Sequence, residues 1–204
     1  MRVIVFGATG KTGRHVVRAG LAEGHRITAF GRSVEQLQID DPSLEVFKGD
    51  AFDAGSVRAA VAGHDAAIIC LGSTGLRDKF TLSAGTKTVI DAMVAKDVHR
   101  LIVMSAAGVG ESWKQIPWSS RLLFHTLLRN IFRDHQSQEA VVEQSTLDWT
   151  IVRAAVLKDD PGTGHYTATN TGSITKINRA DVAVALVDQL TDSSNNRRSI
   201  SVTN

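Results

Sequence analysis

Cysteine, tyrosine and proline are nearly missing from this chain, and each scarcity excludes something. Among 204 residues there are one Cys, one Tyr and three Pro. The lone Cys70 forms no internal disulfide, and its place in the apolar run Ala66 to Leu71 reads as a buried strand residue of a reducing compartment. No Pro-rich linker, low-complexity tract or internal repeat divides the sequence, and no apolar run approaches the roughly 20 residues that span a bilayer. Charge of one sign is lacking too. Lys plus Arg number 23 against 21 Asp plus Glu, a net +2, which leaves no basic footprint for nucleic acid. The seven histidines show no ligand spacing, so no metal site is expected. Strand-like residues 2–6 follow Met1 at once, with no room for a signal peptide. These absences predict a soluble, cytoplasmic protein forming one domain over 1–204.

What is present is a rhythm. Short runs rich in Val and Ile alternate with helix-length stretches, the pattern of parallel strands joined by helical crossovers. Strands are expected at residues 2–6, 26–30, 44–48, 66–71, 100–105, 148–152 and 199–202. Helices are expected at 12–23, 56–61, 81–96, 119–145 and 179–191, with Gly24 and Gly63 where two of them stop. The fold class is therefore α/β: a Rossmann doubly wound parallel sheet in the order 3-2-1-4-5-6-7, helices on both faces. Two stretches break the rhythm at carboxyl ends of strands, near 106–133 and 154–178, and read as lid-like insertions.

The first strand runs into Gly7-Ala8-Thr9-Gly10-Lys11-Thr12-Gly13, which opens a helix. Glycines in that spacing allow a tight turn, close approach of backbone to a pyrophosphate, and helix-to-strand packing. The second strand ends in Gly31-Arg32-Ser33, where an NAD-selective site would carry an acid. Arg32 can pair with a 2′-phosphate and Ser33 can donate to it, which favours NADPH/NADP+. Asp50 and Ala51 after the third strand, and Leu71, Gly72 and Ser73 after the fourth, end at the same sheet edge, although Asp50 equally suits a turn. Ser105 ends the fifth strand, where a hydroxyl either orients the reacting groups or caps a turn. The Tyr-x-x-x-Lys pair that protonates a carbonyl in ordinary alcohol dehydrogenase chemistry is absent, since Asn170 stands four residues after Tyr166.

The glycine motif, Gly49-Asp50, Gly63-His64-Asp65-Ala66, the run 100–105 and the run 145–153 together resemble the atypical short-chain dehydrogenases of the NmrA-like group. Asp134-His135, Thr163-Gly164-x-Tyr166-Thr167 and Ile174-Thr175-Lys176 leading to Asp181 are most similar, within it, to reductases of the biliverdin reductase B, or flavin reductase, type. That resemblance implies an NADPH-dependent reductase for planar conjugated acceptors such as flavins and linear tetrapyrroles. It places Ser105 and His135 at the catalytic centre, with His135 either a proton source or a support of the pocket. Two departures concern the substrate side: Ala154-Ala155-Val156 stands where the family reductase has Pro-Pro-His, and the segment 113–133 is longer and more apolar. Trp113, Trp118, Val156 and Leu157 are the expected substrate-side residues.

Flavins and bilins delocalise incoming charge, so hydride transfer to them needs mainly proximity and orientation. The alternative is an NADP(H)-binding redox sensor that regulates a partner without turnover, as some NmrA-like proteins do. The apolar repeat Leu122, Leu123, Leu127, Leu128, Ile131 and Phe132 suits a lid, a dimer face, a membrane-surface helix or plain core packing. A monomer or weak homodimer with a small-molecule partner is expected.

Overall fold

Central strands whose middle residues are apolar on both faces must be covered on both, and the chain folds accordingly. The computed structural model describes residues 1–73, 75, 76, 78–115 and 128–204. In chain order the elements are β1 (Arg2–Phe6), α1 (Lys11–Ala22), β2 (Arg26–Gly31), β3 (Leu44–Lys48), α2 (Ala54–Val61), β4 (Ala66–Ile69), α3 (Thr81–Ala95), β5 (Arg100–Ala106), α4 (Arg129–Glu143), β6 (Asp148–Ala154), β7 (Val156–Lys158), β8 (Thr167–Thr169), β9 (Lys176–Asn178), α5 (Arg179–Asp188) and β10 (Arg198–Thr203). Short 3-10 turns at Val34–Leu37, Gly110–Gln115 and Ser193–Asn195 complete the described elements.

The main sheet runs β3-β2-β1-β4-β5-β6-β10-β8. Its first seven strands are parallel and stand in the predicted order; the eighth, β8, is antiparallel to β10. Alternation along each strand divides the core in two. Val3, Val5, Ile68, Ile102, Val152 and Ile200 face the layer of α1 and α5, where Val16, Val17, Val182 and Leu186 meet them. Ile4, Phe6, Ile69, Leu101 and Val103 face the layer of α2, α3 and α4. Each fully buried aliphatic side chain of this kind contributes about 1.5–3 kcal/mol.

Helix starts are tied down in different ways. Asp53 caps α2 by accepting from the Gly55 N–H at 3.0 Å. Phe80 at the start of α3 supplies no side-chain acceptor. Two carboxylates share that role: Asp78 accepts from the backbone N–H of Phe80 and Thr81 at 3.2 Å, and Asp134 of α4 from those of Leu82 at 2.8 Å and Ser83 at 3.1 Å and from the Ser83 hydroxyl at 2.6 Å.

The fold departs from expectation inside 154–178. No strand is expected there, yet β7 pairs with β9 in a separate two-stranded sheet and β8 extends the main one. Three-residue strands carry too little alternation to be read from sequence. The helix expected at 119–145 is α4 over its described part, beginning at Arg129; Trp118 and the rest of that stretch lie outside the described residues. No helix among the described residues is long and apolar enough to cross a membrane.

Candidate functional site

The carboxyl ends of β1, β2, β4, β5 and β6 open onto two clefts that share Gly10, Cys70, Leu71, Gly72 and Ser73. At their junction the loop after β1 turns with Gly7 at φ +78°, a conformation L side chains rarely adopt. A Cβ on Gly13 would lie 2.1 Å from the Gly7 carbonyl oxygen, so α1 packs against the turn only because that position has no side chain. Gly10 caps α1 without a side chain, and the first helical hydrogen bond runs from the Arg14 N–H to the Gly10 carbonyl at 3.0 Å. The amides of Lys11, Thr12 and Gly13 thus carry the helix's positive end into the clefts.

The smaller cleft, about 320 Å³, is lined by Gly7, Thr9, Gly31, Arg32, Asp50 and Ala51 among others, so most of the residues expected on the adenosine side do come together. Ser33 does not line it; it sits at the start of the turn Val34–Leu37. The Asp50 carboxylate accepts from the Phe52 N–H at 3.1 Å, so the turn role open to it is realised.

The larger cleft, about 570 Å³, contains Lys11, Thr12, Ser105, His135, Val156 and Leu157, with Met104, Leu128 and Phe132 as apolar wall. Trp113 lies in an adjoining cleft of about 550 Å³ with Arg129 and Arg133, and Phe132 borders both. Ser105 is 1% exposed. Its hydroxyl donates to Glu139 Oε1 at 2.6 Å, and His135 Nδ1 stands 3.5 Å from it. Glu139 in turn receives Arg153 Nε on Oε1 at 3.1 Å and Nη2 on Oε2 at 2.8 Å, a buried two-point ion pair. With its proton committed inward, what Ser105 offers the cleft is its lone pairs. His135 Nδ1 also lies 3.2 Å from Gln138 Oε1, and Gln138 Nε2 donates to Thr86 at 3.0 Å. Burial pushes the His135 imidazole below its ordinary value, outweighing the Gln138 contact and the carboxylates of Glu139 and Asp134, so the ring is neutral at pH 7.

Glu139, Arg153 and Gln138 are the members of this cluster that sequence reasoning missed as site residues. Their signal was faint: Glu139 follows His135 by one helical turn, and Arg153 is a charge following the apolar pair Ile151-Val152.

The glycine loop without side chains, the uncapped helix start and the paired clefts fit a dinucleotide with its phosphates at α1. Comparisons with known proteins agree. An uncharacterized chloroplastic protein of Arabidopsis thaliana is 32% identical over 200 residues, covering 90% of this chain and 70% of that protein. The structure of a short-chain dehydrogenase/reductase from Veillonella parvula in complex with NADP shares the fold at a TM-score of 0.85 and 21% identity, covering 100% of this chain and 94% of that one. An anaerobilin reductase from Escherichia coli O157:H7 aligns at a TM-score of 0.80 and 25% identity, covering 100% of this chain and 97% of that one. A family model described as NAD(P)H-binding matches residues 7–193, and the chain belongs to that NAD(P)H-binding family.

Proposed function

We propose that the protein is an NADPH-dependent reductase that passes hydride to a planar conjugated acceptor, a flavin or a linear tetrapyrrole, in the manner of biliverdin reductase B. The observation that carries this reading is the Ser105 hydroxyl held on Glu139 at 2.6 Å. A serine whose proton points inward and a histidine kept neutral by burial leave the cleft without a strong acid. Such a site suits an acceptor that spreads incoming charge over its own π-system. The E. coli relative, named for its action on a linear tetrapyrrole, supports that choice.

Arg32, at the mouth of the smaller cleft, would hold the 2′-phosphate that separates NADPH from NADH. NADPH supplies the hydride when bound. Ser105 would accept a hydrogen bond from the carboxamide end of the cofactor and fix its orientation, and His135 would support Ser105 instead of delivering a proton. The proton then comes from solvent. Met104, Leu128, Phe132, Val156 and Leu157 exclude water from one wall of the acceptor cleft.

The test is NADPH oxidation by the purified protein with FMN, riboflavin and biliverdin, with NADH in parallel. Turnover faster with NADPH than with NADH is expected, and Ser105→Ala should lower it by about 10-fold or more. A protein that binds NADPH and turns over none of the three acceptors would replace this reading with the redox sensor. The missing Tyr-x-x-x-Lys pair and Ala154-Ala155-Val156, which lacks the family reductase's histidine after the sixth strand, favour that second reading.

A further inference from the structure

Three charged residues far apart in sequence meet where α1 begins. Lys11 is the first residue of α1 and Arg179 the first of α5; the two helices share one core layer, and both residues line the larger cleft. Asp159 follows β7, which pairs with β9, and β9 leads straight into Arg179. Asp159 commits both carboxylate oxygens to these cations, Oδ2 to Lys11 Nζ at 3.1 Å and Oδ1 to Arg179 Nε at 2.6 Å. Arg179 Nη1 also lies 3.4 Å from the Thr12 hydroxyl, within the first turn of α1.

We propose that Arg179 and Lys11 form a two-cation clamp for the phosphates of the bound dinucleotide, and that Asp159 occupies the clamp until phosphate displaces it. The inference rests on the dinucleotide reading of the glycine loop and adds to it a residue from the far end of the chain. Charge decides the matter. Two cations against one carboxylate leave a positive charge over, beside amides that already carry the helix's positive end. A pyrophosphate brings two negative charges and satisfies both cations, with the planar Arg179 fork matched to phosphate oxygens. The Arg179 side chain is 19% exposed and so is held in place, whereas that of Asp159 is 60% exposed. An exposed ion pair is a weak tie in water, and the carboxylate can leave it. Arg179 and Lys11 hold the Asp159 carboxyl below its usual range, so the occupant is charged at neutral pH.

The experiment measures NADP+ affinity of the full chain by calorimetry at several salt concentrations. Arg179→Gln should weaken NADP+ about 10-fold and flatten the salt dependence, because one phosphate contact is lost. It should leave adenosine 2′-monophosphate, which has no pyrophosphate, within about twofold of the parent. Asp159→Asn should tighten NADP+ by about threefold or more, since the competing anion is gone. Arg179→Lys, which keeps the charge, guards against a merely structural effect and should recover part of the loss. Arg179→Gln that binds NADP+ like the parent, or that loses adenosine 2′-monophosphate in step, overturns the clamp. So does Asp159→Asn that binds more weakly. A parent protein that binds neither NADP+ nor NADPH overturns the dinucleotide reading and the clamp with it, whereas a parent that binds while the variants behave identically overturns the clamp alone.

Discussion

Glu139 and Arg153 are 4% and 8% exposed and touch through two nitrogens and two oxygens. A buried pair of this kind resists the loss of one partner more than the loss of both: stranding one charge costs about 3–5 kcal/mol, while apolar replacement of the whole pair is often neutral. Glu139→Leu is therefore expected to lower urea stability by about that amount, and Glu139→Leu with Arg153→Leu to recover most of it. Equal losses in the single and double variants would show that the pair is not a stranded-charge problem. At this scale the sequence spoke clearly where geometry follows from spacing along the chain, as at the Gly7 turn and the close approach at Gly13. It was mute where chemistry needs two elements side by side. A helix glutamate reads as solvated until β6 is known to run behind it, and the Ser105 hydroxyl reads as free until Glu139 is seen to hold it.

Among elements, the start of α5 depends most on a single carboxylate. Buried Asp181 accepts from the backbone N–H of Thr163 and Gly164 at 2.8 and 2.9 Å, and from the side-chain amides of Asn178 and Asn204 at 3.1 and 3.0 Å. Burial pushes its pKa up, but the donors from Gly164, Asn178, Asn204 and Thr163 together outweigh it, and the carboxyl ends below its ordinary value. A folded-state pKa below the unfolded one means stability that is present above about pH 4 and lost as pH falls through the folded value. Asp181→Asn, which turns an acceptor into a donor facing donors, should cost about 2 kcal/mol at pH 7, and its deficit should shrink below about pH 4. Denaturant melts of both proteins across pH 3 to 7 check this. A deficit that stays constant would mean that the charge is not what binds the 163–164 turn to α5. The resemblance marked Thr163, Gly164 and Asp181 as a motif, but not that they bind one another. The turn's partner Asp181 stands in α5, 17 and 18 residues along the chain, and a carboxylate in the first turn of a helix reads as an ordinary N-terminal acid until the turn is seen to fold onto it.

For the whole molecule the order of the main sheet was legible because parallel strands force helical crossovers, and the crossovers announce themselves. The antiparallel β8 was not, since Thr167–Thr169 is a polar segment whose pairing is fixed by β10 alone. Cys70 gives a global readout. It is 7% exposed at the junction of the two clefts, and burial pushes its thiol up to about 12. A thiol reagent should therefore modify it through unfolding, and NADP+ at about 100 times its dissociation constant should slow the modification by about 100-fold. Rapid labelling indifferent to NADP+ would mean that the thiolate is reached without unfolding.

The Asp134 bridge has a mechanical side. Phe132 and His135 of α4, and Leu128 just before it, border the larger cleft, while Thr81 at the start of α3 borders the smaller one. Asp134 of α4 accepts from the second and third amides of α3, so one carboxylate ties together two helices that contribute to different clefts. A substitution that removes the Asp134 carboxylate would therefore unfasten the first turn of α3 as well as disturb α4, reaching the linings of both clefts from one position.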